Sequence, residues 1–307
     1  MFRLAHISDI HLGPLPSLTY RELASKRITG YVNWRRNRRH HIQNGVTDAL
    51  LAGMAAADID HIAVTGDLVN LALDAEIEVA REWLVSLGTP ETVSVVPGNH
   101  DAYVPGALAK SCRAWRPWMK GEVTHVGSSE YGYPYLRVRE DIALVGVSSA
   151  RATGPFMALG HFGEKQARRL GKLLDIAGEG GLFRVIMIHH PPVRGATTAH
   201  KRLYGIGLFQ ETVRRHGAEL VLHGHTHLPT LHWIDGTRDK VPVVGVTAAG
   251  QGAGGHKPPA QYNLFEIAQA GKDWSVTLTR RGVSGAALSV KDIETVDLRV
   301  RPQLAAT

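Results

Sequence analysis

The stretch Thr92-Val93-Ser94-Val95-Val96-Pro97-Gly98-Asn99-His100-Asp101 decides how this chain is organised. Thr92–Val96 is short, apolar and β-branched, the composition of a buried strand. Pro97 and Gly98 end it, and an amide, an imidazole and a carboxylate follow in the turn. The same construction recurs along the chain. Phe2–Ser8 runs into Asp9-Ile10-His11, and His61–Thr65 into Gly66-Asp67. Arg184–Ile188 runs into His189-His190-Pro191, and Glu219–Leu222 into Gly224-His225-Thr226-His227. Side chains placed at strand ends converge in space even when they are far apart in sequence.

The residue types in these five turns are two Asp, one Asn and several His, the ligand set of a two-metal hydrolytic site. Carboxylate, amide oxygen and imidazole suit two divalent ions such as Mn, Fe, Zn or Co, and one Cys in the chain excludes a thiolate-rich zinc site. Asp9 and His11 lie two residues apart, so an extended segment points both the same way, and His225 and His227 repeat the spacing. Gly66 lets the chain bend sharply before Asp67, and Pro191-Pro192 turns it away after His189. An isolated Asp-x-His or Gly-Asp is weak, since such pairs occur by chance. Five motifs in this order, each after a β-like run, are specific.

Further strands are expected at Ala143–Ser148 and Val241–Val246, and helices at Gln43–Ala57, Asp74–Leu87, Glu164–Ile176 and Leu208–His216. Tyr262–Ile267 and Trp274–Thr279 flank Gly271 as a hairpin. The alternation of strands and helices indicates an α/β protein, and strands without polar alternation belong to its interior. No repeat is present, and Gly250–Pro259 is the loop of unusual composition. The expected organisation is a domain over residues 1–282 with a basic insertion at 20–42, followed by a C-terminal tail at 283–307.

The pattern D-x-H, G-D, G-N-H-[DE], H and G-H-x-H resembles that of the calcineurin-like metallophosphoesterase superfamily, from Asp9 to His227. The resemblance implies a four-layer α/β/β/α sandwich of two mixed sheets. It implies one metal held by Asp9, His11, Asp67 and His227, and another by Asp67, Asn99, His189 and His225, with Asp67 bridging. His189 matches the ligand position, while His190, on the opposite side of the strand, is expected to hydrogen-bond within the pocket. His100 matches the residue that stands beside the phosphate as general acid or transition-state stabiliser, with Asp101 orienting it. No Arg follows the Gly66-Asp67 motif, as it does in protein Ser/Thr phosphatases. Asn70 stands where purple acid phosphatases have a metal-bound Tyr. The remainder looks most like the bacterial cyclic-nucleotide and glycerophosphodiester phosphodiesterase branch, and Lys201-Arg202-Leu203 fits it.

Charge refines this. The chain of 307 residues carries a net +7, and between Arg21 and His41 seven basic residues face one acid, Glu22. That balance of +6 leaves +1 for the rest, which argues against a surface that coats nucleic acid. Tyr20, Leu23, Ala24, Ile28, Tyr31 and Val32 form a rough helical stripe interrupted by Gly30, with basic residues around it. Such a segment packs on the domain as a cap, or rests on an anionic membrane, or guides a polyanion. Three functions follow: a phosphodiesterase for a small or cyclic nucleotide or similar diester, a membrane-peripheral hydrolase of a phospholipid or sugar-nucleotide lipid, and a metal-scaffold binding module without catalysis. The filled ligand positions and His100 weigh against the third. Cys112 is the one cysteine, which favours a reducing compartment. No apolar run reaches membrane-spanning length, and cleavage of the short N-terminal apolar stretch would remove the strand before Asp9. The expected location is cytoplasmic.

Overall fold

The computed structural model describes residues 1–23, 25–35, 45–122, 131–271, 273–285, 287–298 and 303. Ala24, residues 36–44 and most of the last nine residues, which include parts of the expected insertion, first helix and tail, lie outside the described residues.

Strands β1 (Phe2–Ile7), β2 (His61–Val64) and β3 (Val93–Val95) are parallel neighbours. Between them run the short helices α1 (Tyr20–Leu23) and α2 (Arg27–Asn33), then α3 (Val46–Ala55) and α4 (Asp74–Leu87). Helix α5 (Ala107–Ala114) leads to β4 (Tyr135–Arg139), β5 (Ile142–Gly146) and the two-residue β6 (Gly160–His161). Next come α6 (Glu164–Glu179), β7 (Phe183–Met187), β8 (Leu203–Tyr204), α7 (Ile206–His216) and β9 (Leu220–His223). The chain finishes with β10 (Leu231–Asp235), β11 (Lys240–Gly245), β12 (Gln261–Ala270), β13 (Asp273–Ser284) and β14 (Ser289–Asp297).

Two six-stranded mixed sheets result, in the orders β14-β13-β12-β1-β2-β3 and β10-β11-β9-β7-β5-β4. Successive residues of the second sheet serve different cores. Ile142, Leu144, Val185 and Met187 face the first sheet, whereas Ala143, Val145 and Ile186 pack under α6 and α7 with Leu170, Leu174 and Phe209. A strand buried on both faces has no polar side to show, which is why these segments read as unbroken apolar runs. The architecture is the expected sandwich of two mixed sheets with helices outside. Arg137, buried on β4, rivets one sheet to the edge of the other by donating to the carbonyls of Pro90, Val93, Pro117 and Lys120.

Two expectations need correction. The weak pattern after Gly282 is not a tail: β13 continues to Ser284, and β14 pairs along it antiparallel. One face of β14 is exposed and charged, so its sequence lacks an apolar signature. Beyond it, buried Gln303 accepts from Arg184 Nη2 (2.7 Å) through its carbonyl and donates its amide to Glu219 Oε1 (2.9 Å), completing a buried ion pair. The basic stripe is also not one helix. It breaks between α1 and α2, and its apolar residues divide: Tyr31 packs towards the core while Tyr20, Ile28 and Val32 are exposed.

Candidate metal centre

The turns after β1, β2, β3, β7 and β9 meet at one end of the sandwich. The turn after β1 zips along the turn after β2, with Asp9 N donating to Gly66 O (2.9 Å) and His11 N to Asp67 O (3.0 Å). Here the expected extended geometry is wrong. Asp9, His11, Asp67, His225 and His227 all have left-handed backbone, with φ of 54°, 48°, 57°, 67° and 56°. For a residue with a side chain this conformation costs about 1 kcal/mol or more, and it persists where the surroundings enforce it. Five such residues at one site show a backbone bent to aim side chains. At Gly98 a Cβ would collide with the Asp67 carboxylate, so only glycine lets the third turn close on the second.

Asp101 supplies much of that enforcement. Its buried carboxylate accepts the amides of Gly98 (2.7 Å), Asp67 (2.8 Å), Leu68 (2.9 Å) and Val69 (3.3 Å). The expectation that it orients His100 is therefore corrected: it pins the backbone on either side of the centre. The His100 ring is held instead by Asn70, whose carbonyl accepts from Nδ1 (2.5 Å), and it stacks on Tyr103.

The imidazoles share a rule. His11 donates from Nδ1 to Val69 O (3.1 Å), His189 from Nδ1 to Thr65 O (2.6 Å), and His225 from Nε2 to Lys201 O (2.9 Å). Each carbonyl takes one ring proton and turns the other ring nitrogen inward, the usual arrangement of a metal-binding His once that nitrogen gives up its proton. Ring nitrogens of His11, His189 and His227 converge on two carboxylates. His227 Nε2 is 3.0 Å and His11 Nε2 3.9 Å from Asp9 Oδ1, a buried oxygen without a hydrogen bond. Asp67 Oδ1 accepts the His100 amide (2.7 Å), so Oδ2 is left between His11 (3.8 Å) and His189 (3.4 Å). His189 Nε2 also lies 3.3 Å from Asn99 Oδ1. Lone-pair donors crowded in this way, with an orphaned oxygen among them, fit divalent cations.

Electrostatics agree. Burial opposes ionisation of Asp9, but the adjoining His227 and His189 outweigh it and hold the carboxyl well below its usual range. Asp67 is likewise driven down by His189, His100 and His11 against the effect of burial. His190 is different. Its ring sits between Ser149 Oγ (2.8 Å) and Ala158 O (3.2 Å), and burial with the neighbouring His189 pushes its pKa down to about 3. It is a neutral imidazole with both nitrogens engaged, which leaves no atom for a metal.

The centre lies at the bottom of a cleft of about 470 Å³. One wall is α2, where Gly30 packs so closely on Tyr103 that a Cβ would strike its hydroxyl. Lys26 Nζ crosses to Thr153 Oγ1 and Met157 O, both 2.8 Å, and burial lowers its pKa to about 8. Phe156, Met157, Lys201 and Lys257 complete the lining, with Lys257 donating to the Thr226 carbonyl. Of these, Tyr103 and Phe156 carry no spacing signal. Lys257 lies in the loop singled out by composition, which was the available clue.

Residues 2–229 match the family described as calcineurin-like phosphoesterase, and the chain belongs to that family. Members hydrolyse phosphate esters at a dinuclear divalent metal centre, and the Asp and His clusters here fit one. The fold is similar to that of a dimetal phosphatase from Danio rerio, with a TM-score of 0.63 at 13% identity, over 97% of this chain and 98% of that one. It is also similar to purple acid phosphatase PPD1 from yellow lupin (Lupinus luteus) seeds, with a TM-score of 0.57 at 11% identity, over 96% of this chain and 53% of that one. At such identities the likeness is one of fold. No curated protein matches the sequence significantly.

Proposed function

We propose that this chain hydrolyses phosphodiesters, small or cyclic nucleotides or similar esters, at two cations held by Asp9, His11, Asp67, Asn99, His189, His225 and His227. The observation that carries the ligand assignment is the convergence of His11, His189 and His227 ring nitrogens on Asp9 and on one oxygen of Asp67. Asp67, whose Oδ2 lies between His11 and His189, is the residue that would serve both cations.

When bound, two such cations supply Lewis-acid polarisation of the phosphoryl oxygens and an acidified water. The chain supplies the rest. Left-handed turns hold the carboxylates in place before substrate arrives, so no reorganisation is needed during reaction. His100, fixed by Asn70 O and packed against His11 at 4.8 Å between ring centroids, stands beside the centre to protonate or stabilise the leaving oxygen. Among the described residues no Arg lines the cleft, and Lys26 and Lys257 spend their ammonium groups on backbone carbonyls. A dianionic monoester is best gripped by a guanidinium fork. A diester, with one charge and a substituent on each side of phosphorus, suits a wide cleft with a half-apolar wall.

The test compares bis(p-nitrophenyl) phosphate with p-nitrophenyl phosphate after loading with Mn²⁺. A larger kcat/KM for the diester supports the reading. A larger value for the monoester overturns the diester preference, and turnover of neither by metal-loaded protein overturns catalysis.

A further inference from the structure

We propose that the frame of this cleft is a docking face for an anionic lipid bilayer, which holds the metal centre at a membrane surface. The inference goes beyond the reading above, because it concerns where the cleft faces and stands whichever ester is cleaved.

The frame is one connected rim. Lys26 ties α2 to the loop at Thr153 and Met157. That loop then runs beside the next segment, with Ala158 N on His200 O (3.0 Å) and Gly160 N on Arg202 O (3.1 Å). Lys201 O reaches the centre through His225, and Lys257 joins the rim through the Thr226 carbonyl.

Its charge is nearly pure. Residues 22–35, 150–163, 192–207 and 250–260 contain eight Lys and Arg and one acid, Glu22, a balance of +7. The whole chain also carries +7, so the charges of everything outside these segments cancel. Lys26, Lys201 and Lys257 line the opening itself, and a basic opening on a molecule whose remaining charges sum to zero suits a negative surface.

The rim is also apolar at its outermost points. Ile28 and Val32, one turn apart on α2, are exposed, as are Phe156, Met157 and Tyr204. Phe156 is 83% exposed and has a left-handed backbone, φ 61°. For a bulky side chain that conformation is an outlier, and here it turns an aromatic ring out of the fold. Aliphatic side chains add nothing to a grip on nucleic-acid phosphates, whereas they gain by entering the headgroup boundary while basic neighbours meet the lipid phosphates. Arg202 stacked on Tyr204 at 4.7 Å presents both features from one spot.

The experiment is co-sedimentation of the full metal-loaded chain with phosphatidylcholine vesicles, with and without phosphatidylglycerol. Binding is expected to the anionic vesicles alone, weakened by salt. Each basic side chain near such a surface is worth about fivefold in partitioning. Arg194→Glu with Arg202→Glu should therefore lower binding by more than an order of magnitude, and Ile28→Ser with Phe156→Ser should lower it without altering the salt dependence. Circular dichroism checks that each variant folds. As an independent reading, Phe156→Trp should be quenched by brominated lipid in anionic vesicles. No binding to anionic vesicles, equal binding to both vesicle types, or unchanged binding of both double variants overturns the proposal. Salt-sensitive binding of single-stranded nucleic acid with no vesicle binding also overturns it and reassigns the rim to nucleic acid. Loss of diester turnover, in contrast, leaves it standing.

Discussion

The turns carrying Asp9, Asp67, Asn99 and His189 are buried and joined backbone to backbone, and Asp101 alone gathers four of their amides. The frame above them is half-exposed and held by a few side-chain contacts, such as Lys26 on Met157 O and Arg27 on the carbonyls of Leu71 and Ala72. The floor invests strain to fix a geometry that the chemistry requires. The frame is lightly attached and carries the charge and the exposed apolar groups, where choice of partner resides.

Substitutions should separate the two regions by both size and kind of effect. The largest belongs to Asp67. Polarisation by cations is worth several kcal/mol, so Asp67→Asn is expected to lower kcat by about 10³-fold or more and to reduce bound metal, as measured by diester turnover with metal analysis. Near-normal kcat would break the assignment of Asp67 as the residue that serves both cations. His100→Ala comes next, losing about 10²–10⁴-fold in kcat while keeping its metal. A loss that Mn²⁺ restores would make His100 a metal-retaining group instead.

Asp101→Asn probes the floor differently. One amide oxygen cannot serve four N–H donors, so stability should fall by about 3 kcal/mol in denaturant unfolding and metal affinity by about 10–100-fold. At saturating metal kcat should return towards the wild-type value, and persistent loss would mean that Asp101 acts on substrate. The smallest effect is expected in the frame. Burial lowers the Lys26 pKa from 10.5 to about 8, so between those values the unfolded chain holds the extra proton and stability rises with pH. Lys26→Met should abolish that rise, read as Tm against pH, and raise KM more than it lowers kcat. An unchanged Tm profile would show that Lys26 is not desolvated by the frame.

The same division governs what could be read from the sequence. Each motif of the floor is local, a strand followed by a turn with ligand chemistry, and the spacing of Gly98-Asn99-His100-Asp101 survives translation into words. Asp74–Leu87 was legible for the same reason, with an acidic first turn and a periodic apolar face. The left-handed angles were not legible, because they come from contacts between turns and not from any one of them. The work of Asp101 was hidden for that reason too. In the frame, Lys26 finds Thr153 across 127 residues, and no pattern along the chain announces such a pair. β14 was missed because a strand with one wet, charged face at a sheet edge reads like a linker.

β1 occupies the middle of its sheet, with β2 on one side and β12 on the other. β1 therefore waits for residues 261–270 before its second edge is covered. During synthesis the segment that carries Asp9 and His11 stays an open template until β12 is made, available to wrong pairing. The strand that delivers Asp9 and His11 thus gains its second neighbour only after the last of the site residues, His227, has been made.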